Sequence, residues 1–328
     1  LEQAAQAVPS ECAVPGGAIS PYPHFLCIDF ALAVGEQGEP TLRLIELQGF
    51  PSLFGFQWLL GRMYREAFDL SPELTPYFGG IDEDDYIARL ARQLTGDGDP
   101  RETVLLEIEP EKQKTRIDFE ATHRLTGVEA IGVDQVIVRG DRLFRHDATG
   151  REIPIRRIYN RVIFDEADRK GLDLETLFRR PYDVEWVGHP DWFYKISKYS
   201  LPFIQNEWSP ACWLVSDLPE IPADLDRYVL KPLRSFAGLG VELDVTPERL
   251  RALVNPADYI LQKKVEYAPI IETPDGPARA ELRMMYLWEP EGPRLVTNLV
   301  RMTKGKMVGV DFNKDKTWIG ASIALHPA

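Results

Sequence analysis

A lysine at the end of an apolar run, followed directly by a loop of small residues, constrains the fold of this sequence more than any other feature. Residues 228–241 read YVLKPLRSFAGLGV, with Lys231 closing the run and Gly238 and Gly240 in the loop. Apolar alternation predicts a strand before the lysine, and Pro232 ends its ladder. Small residues let backbone N–H groups approach an anion closely. The stretch favours a polyphosphate site, and a β-hairpin with a flexible tip and an exposed lysine is the equally simple alternative.

The order of these residues excludes two common phosphate motifs. The lysine precedes the glycines and no Gly-Lys-Ser/Thr opens a helix behind them, so the stretch is not a P-loop. No Rossmann fingerprint is present here either. Strand alternation resumes over residues 241–245, which predicts a second strand after the loop.

Two apolar runs near the front of the chain carry acids. Phe25–Leu32 and Leu42–Gln48, joined by a polar turn, predict a β-hairpin. Alternation puts Glu46 and Gln48 on one face, and antiparallel pairing can bring Asp29 near them. Three oxygen donors on one face suit Mg²⁺. The competing interpretation is one acid facing solvent and another capped by the backbone.

Composition excludes several classes of partner. The 328 residues carry a net charge of -13, which argues against nucleic acid or an anionic membrane as the main partner. No apolar run approaches the roughly 20 residues that span a bilayer, and the first residues do not resemble a secretory signal. Cys12, Cys27 and Cys212 show no CxxC spacing and are expected to be free thiols. A cytoplasmic protein is therefore expected.

The middle of the chain predicts a small α/β lobe. Apolar periodicity predicts helices over 56–68, 82–94, 112–126 and 165–180, with strands over 103–108 and 129–137. This order favours partly parallel strands. A following strand carries Arg156, Asn160 and Arg161, which are candidates for binding a substrate carboxylate, with edge-strand solubility as the alternative explanation.

The last part of the chain repeats the pattern of strands with isolated charges. Lys198 precedes the focal lysine by some thirty residues, and Thr246-Pro predicts a capped helix after the loop. Strands are predicted over 259–265, 280–288 and 295–302. Glu281 and Arg283 lie two residues apart in one of them, and Arg301 lies in the last.

In this order, residues 189–328 resemble the nucleotide-binding core of the ATP-grasp superfamily. The matching features are a first lysine, a strand ending Leu-Lys-Pro, a small-residue loop, a helix, a further strand and a Glu-x-Arg strand. Most members carry the acidic Mg²⁺ ligands last, in a strand ending Glu-x-Asn. Here Glu46-Leu-Gln48 at the front is similar to that strand, which is typical of the circularly permuted branch that includes glutathionylspermidine synthetase domains. Gln48 departs from the usual asparagine, and an amidase domain with a catalytic cysteine is absent from the sequence.

The resemblance implies an α+β, circularly permuted ATP-grasp fold in which two α+β lobes grip ATP. Residues 1–55 would form the metal-binding hairpin, 56–185 the helical segment and pre-ATP-grasp-like lobe, and 186–328 the nucleotide-binding region. It implies Mg²⁺ ligands at Asp29, Glu46 and Gln48 and catalytic groups at Lys231, Arg283 and Arg301. The ATP-binding residues it implies are Lys198, Lys231, Ser235, Ala237, Gly238, Gly240, Gln262, Lys263 and Val265.

The reaction that the resemblance implies is ATP-dependent joining of a small or peptide-like carboxylate to an amine through an acyl phosphate. Two other functions stay open from the sequence. One is phosphoryl transfer on the same scaffold, and the other is nucleotide binding without catalysis.

Overall fold

The computed structural model describes residues 7–10, 12–15, 20–35, 37–234, 238–309 and 312–328. Within these residues the protein is a mixed α/β structure with five sheets. In chain order the strands are β1 (Phe25–Val34), β2 (Pro40–Gln48), β3 (Leu74–Thr75), β4 (Thr103–Glu107), β5 (Glu129–Gly132), β6 (Ile137–Arg139), β7 (Arg142–His146), β8 (Glu152–Ile155), β9 (Arg157–Asn160), β10 (Glu185–Val187), β11 (Cys212–Leu214), β12 (Tyr228–Pro232), β13 (Tyr259–Lys263), β14 (Arg279–Glu289), β15 (Gly292–Thr303), β16 (Gly320–Ser322) and β17 (His326–Pro327).

Seven α-helices accompany these strands in the described part of the chain. They are α1 (Phe54–Ala67), α2 (Glu83–Thr95), α3 (Arg116–Thr126), α4 (Phe164–Lys170), α5 (Glu175–Phe178), α6 (Trp192–Lys195) and α7 (Pro247–Arg251). None of the described helices combines the length and the apolar character needed to cross a membrane.

The central sheet joins the two ends of the chain. Its strand order is β16-β15-β14-β1-β2, and every neighbouring pair is antiparallel. The predicted front hairpin is present as β1 and β2, with an irregularity in its register between Asp29 and Phe30. Its first strand pairs on its other side with β14, from near the end of the chain. The hairpin is thus part of a sheet that the last strands complete.

A parallel sheet forms the α/β lobe, in the order β10-β9-β4-β5. All five residues of β4 are buried, as expected for a parallel strand covered on both faces. The helix predicted over 165–180 is wrong as a single element. Gly171 adopts a left-handed conformation with φ 64°, which ends α4, and α5 begins only at Glu175.

The focal lysine lies on a third sheet, in the order β11-β13-β12. The second strand predicted over 241–245 is wrong. After the loop, only Glu242 forms a bridge, to Leu230, with backbone hydrogen bonds of 3.0 and 2.9 Å. Val245 then turns into an apolar core and Thr246 caps α7 by accepting from the N–H of Arg249, so the chain leaves the sheet at once.

The N-terminus of helix α1 is capped by a residue from another helix. Asp118 on α3 is buried and accepts hydrogen bonds from the N–H groups of Leu53 and Phe56, both at 2.9 Å. It supplies the N-terminal cap that α1 lacks locally. The largest apolar cluster lies here and includes Phe25 and Trp58.

Candidate functional site

The register of the central sheet brings the predicted acids and arginines onto one face. Asp29 on β1 is the partner of Glu46 on β2 and of Arg283 on β14. One step along, Glu281 is the partner of Arg301 on β15. Because directly paired residues of an antiparallel sheet project to the same side, these five side chains share a face.

Asp29 is the centre of this charged face. It has no exposed surface, and its two carboxylate oxygens accept from Nε and Nη2 of Arg283, both at 2.7 Å. Nη2 of Arg301 adds a third bond at 2.6 Å. Burial alone would raise the pKa of Asp29, but the two guanidinium groups hold its pKa below the ordinary value. Asp29 is therefore a buried counter-ion to two arginines.

Glu281 extends the hydrogen-bond network from Arg301 to Tyr267. It accepts from Nη2 of Arg301 at 2.6 Å and from the hydroxyl of Tyr267. Burial raises the pKa of Glu281. Tyr267 was not predicted from the sequence as part of this site. Nε of Arg301 is buried and has no hydrogen-bond partner among the described residues, so this donor lacks the acceptor that a buried N–H group normally has.

Glu46 and Gln48 lie at the edge of the same face. The Gln48 amide donates to the Glu46 carboxylate, whose Oε1 lies 3.9 Å from Nη2 of Arg283. The Asp29 and Glu46 carboxylates are also close enough to interact directly. No group of three or more His, Cys, Asp or Glu residues in the described ranges could hold a metal ion. Glu46 and the amide oxygen of Gln48 nevertheless suit an Mg²⁺ ion that arrives bound to phosphates, since such ions need few protein ligands. Asp29 would have to exchange a guanidinium bond for the ion, because both of its oxygens are bonded to arginines.

Two lysines, Lys198 and Lys231, lie near Glu46. Lys231 is half-buried and donates to Oε1 of Gln262 at 2.6 Å, whereas Lys198 is buried. Burial lowers the pKa of each lysine, the Glu46 carboxylate opposes that shift in both, and the charge of Lys231 lowers the pKa of Lys198 further. Positive charge therefore accumulates beside the acids, where an anion would be stabilised.

A glycine fixes the distance between the hairpin and the segment that carries Lys198. The N–H of Gly49 donates to the carbonyl of Ile196 at 2.8 Å. A Cβ on Gly49 would lie 2.7 Å from the carbonyl oxygen of Trp192 and 2.8 Å from Cβ of Ile196. Only glycine allows this close approach of the two segments.

Of the predicted loop, Ser235 and Ala237 lie outside the described residues. Gly238 and Gly240 have φ of 76° and 70°, a conformation that favours glycine. A Cβ on Gly238 would lie 3.2 Å from Cε of Met307, so the loop runs close to the segment after β15. The sequence prediction had not linked these two segments.

The remaining predicted residues lie on β13 or just after it. Lys263 ends β13 and its N–H donates to the carbonyl of Ala211 at 2.8 Å, while Val265 follows the strand. Gln262, on the same strand, is buried, and its Nε2 has no partner within the described ranges. Its side-chain oxygen is what holds Lys231.

The three candidates for a substrate carboxylate have separate surroundings. Arg156 forms an exposed ion pair with Glu102 at 2.9 Å. Asn160 is buried and accepts from the N–H of Val162 at 3.2 Å. Arg161 donates to the carbonyl of Pro51 at 2.9 Å, in the loop that follows Gln48. The structure therefore does not assemble them as one group.

Comparison of the sequence with protein families and with curated proteins gives no match. Among solved structures, the chain is similar to a glutathione synthetase-like effector from Globodera pallida in its apo form. The identity is 12% and the TM-score 0.54, over 91% of this chain and 74% of that one. At this identity the likeness shows the fold alone, a mixed α/β fold similar to that of a glutathione synthetase-like protein.

Proposed function

We propose that the protein is an ATP-dependent ligase that joins a carboxylate to an amine through an acyl phosphate and releases ADP and phosphate. The observation that carries this proposal is the convergence of Lys198 and Lys231 on Glu46, beside the Asp29, Arg283 and Arg301 network. Similarity in fold to a glutathione synthetase-like protein adds support, since that name belongs to ligase chemistry.

The chemistry requires positioning and charge neutralisation more than covalent work by the protein. The substrate carboxylate attacks the γ-phosphorus of ATP, and ADP leaves. The amine then attacks the acyl carbon, phosphate leaves with the bonding electrons, and the amine loses a proton. Lys198 and Lys231 would bind the phosphates, with Gln262 orienting Lys231.

The two arginines would have different tasks in this reaction. Arg301 would direct its unpartnered Nε to the transferring phosphoryl group, where a preorganised donor is most effective. Arg283 has Nε and Nη2 on Asp29 and would hold that carboxylate in place. Asp29, Glu46 and Gln48 would hold the Mg²⁺ that accompanies ATP, which would neutralise phosphate charge.

The loop at Gly238 and Gly240 would close over the phosphates and exclude water. Its position next to Met307 supports a lid made of two segments. Exclusion of water protects an acyl phosphate from hydrolysis before the amine reaches it.

Release of ADP, measured with mixed carboxylates in the presence and absence of amines, tests this function. We expect turnover that requires both substrates and is lost in Lys231→Ala and Glu46→Ala. Lys112→Ala is the matched control, because that lysine is exposed, pairs with Glu109 and lies on the α/β lobe. Turnover without amine would indicate phosphoryl transfer, and nucleotide binding without turnover would indicate a binding protein. Wild-type rates in Lys231→Ala would refute the site assignment.

A further inference from the structure

Arg279 begins the strand that carries the charged network. Side chains alternate along β14, so Arg279 projects to the same face as Glu281 and Arg283. At about 3.4 Å per residue, Arg279 lies about 7 Å along the strand from Glu281 and its partner Arg301. Arg279 thus extends the row of charged side chains on this face beyond Glu281 and Arg301.

Arg279 differs from the other charged residues of this face in having no partner. Asp29, Glu46, Glu281, Arg283 and Arg301 all make side-chain hydrogen bonds to one another or to their neighbours. Arg279 makes no side-chain hydrogen bond or ion pair within the described residues, although it is half-buried. A half-buried guanidinium without a counter-ion is a ready binding site for an anion.

The turn before Arg279 is bonded to the segment that follows β15. Asp275, just before the strand, forms an ion pair with Lys304 and accepts from the hydroxyl of Thr317. Asn313 is buried and accepts from the N–H of Gly305 at 2.8 Å while donating to the carbonyl of Gly309, also at 2.8 Å. These bonds shape the segment after β15 around the end of the face where Arg279 lies.

We propose that Arg279 binds a second anionic group of the acid substrate, so that the preferred acid is a dicarboxylic acid. One carboxylate of such an acid would react beside Arg301, and the other would pair with the Arg279 guanidinium. This proposal rests on the proposed function, because it assigns the acid to the same sheet face.

The nearest alternatives for this role are already engaged. Lys304, on the adjacent strand end, is paired with Asp275. Arg43, also on this side of the sheet, donates to the carbonyl of Glu207 at 3.0 Å. Of these three cations, Arg279 is therefore the one that has no hydrogen-bond partner among the described residues, which leaves its donors to a ligand.

Calorimetric titration with matched acids tests the proposal in the presence of Mg²⁺ and a non-hydrolysable ATP analogue. The pairs are succinate and butyrate, glutarate and valerate, and adipate and hexanoate. We expect at least one diacid to bind about tenfold more tightly than its monoacid, equivalent to about 1.4 kcal/mol. Arg279→Gln should remove that preference and leave the monoacid and nucleotide affinities unchanged.

Arg142→Gln is the matched control, since Arg142 is an exposed strand arginine of the small antiparallel sheet and should keep the preference. Arg279→Glu gives a second arm and should favour the monoacid. Equal affinity of the wild type for every pair, or no binding of any acid, would overturn the proposal, as would a diacid preference that survives in Arg279→Gln. Failure of the proposed function would show separately, as the absence of ADP release that depends on both the acid and the amine.

Discussion

At the residue scale, two arginines that were both predicted to be catalytic have different surroundings. The Arg283 side chain is 8% exposed and is committed to Asp29, whereas that of Arg301 is 30% exposed and keeps one buried donor unpaired. Sequence spacing places both on strands with alternating burial but cannot distinguish their partners. The distinction depends on Asp29, which lies 254 residues before Arg283.

Loss of Arg283 should destabilise the protein. Arg283→Ala would leave the Asp29 carboxylate buried beside Glu46 with only Arg301 to compensate it. Removing one member of a buried ion pair costs about 3–5 kcal/mol, so we expect a fall of that size in the free energy of unfolding measured with urea. The double variant Asp29→Asn with Arg283→Met should recover most of the loss. Unchanged stability in Arg283→Ala would contradict this account.

A second residue-scale prediction concerns pH and Glu107, at the end of β4. Burial raises the pKa of its carboxyl from 4.5 to about 7 in the folded protein. Between these values the folded state holds a proton that the unfolded state has released, so stability falls as pH rises from 4.5 to 7. Glu107→Gln should remove this slope and be more stable than the wild type at pH 8, by up to about 3 kcal/mol.

Urea unfolding of both proteins at pH 5 and pH 8 measures this difference. The Gln side chain can still accept from the N–H of Ile108, as Glu107 does at 2.7 Å. The prediction would be contradicted if the difference in free energy of unfolding between the wild type and Glu107→Gln were the same at pH 5 and at pH 8.

Two residues with defined roles, one in the site and one in the fold, give no sequence signal. Tyr267 reaches Glu281 from an irregular segment, and the two are 14 residues apart with no periodic relation. Asp118 reads as an ordinary helical acid, yet it caps a helix that begins 64 positions earlier, at Phe54. In contrast, Asp29 and Glu46 could be placed together from alternation and the turn between their strands.

At the element scale, Gly49 joins the hairpin to the segment that leads to Lys198. Gly49→Ala would force these segments apart, since its Cβ would lie 2.7 Å from a backbone oxygen. We expect a lower melting temperature and weaker binding of an ATP analogue, because Lys198 and Glu46 would move relative to each other.

Gly61→Ala in α1 is the control for this substitution. Its Cβ would have ordinary contacts at 3.7 Å, and alanine favours a helix over glycine by about 0.5–1 kcal/mol. That variant should be as stable as the wild type or more so and should bind the analogue normally. Normal binding by Gly49→Ala would contradict the positioning role.

Helices and strands were predicted well where sequence periodicity determines them and poorly where tertiary contacts determine them. The front hairpin and α1 follow from periodicity, with α1 at Phe54–Ala67 against the predicted 56–68. The strand after the glycine loop failed because burial of Val245 and the cap at Thr246 outweighed alternation over five residues. The break at Gly171 had a signal, a glycine inside a helical pattern, that could have been used.

At the scale of the whole molecule, the central sheet makes the two ends of the chain interdependent. The strand β1 lies between β2 and β14, so removal of the hairpin would expose an edge of β14. The sequence alone could not predict this pairing from periodicity. The circularly permuted architecture implied by the resemblance stays a prediction, as does the three-part division of the chain.

A chain that starts at residue 53 should therefore fail to fold. We expect it to aggregate or to lack a cooperative thermal transition, because two strands of the central sheet and two of the five charged residues on its face are lost. Addition of a separately made fragment of residues 1–52 should restore a cooperative transition. A soluble, cooperatively folded protein without that fragment would contradict the proposed dependence.

The distance along the chain between β1 and β14 has a consequence for synthesis on the ribosome. Asp29 leaves the exit tunnel 254 residues before the arginine that neutralises it. At about 5–20 residues per second, that interval is on the order of 10 to 50 s. During it, the nascent hairpin exposes an unpaired strand edge with an acid in its middle. We expect the charge of Asp29 to act then as a gatekeeper against premature association, before its partner strand is translated.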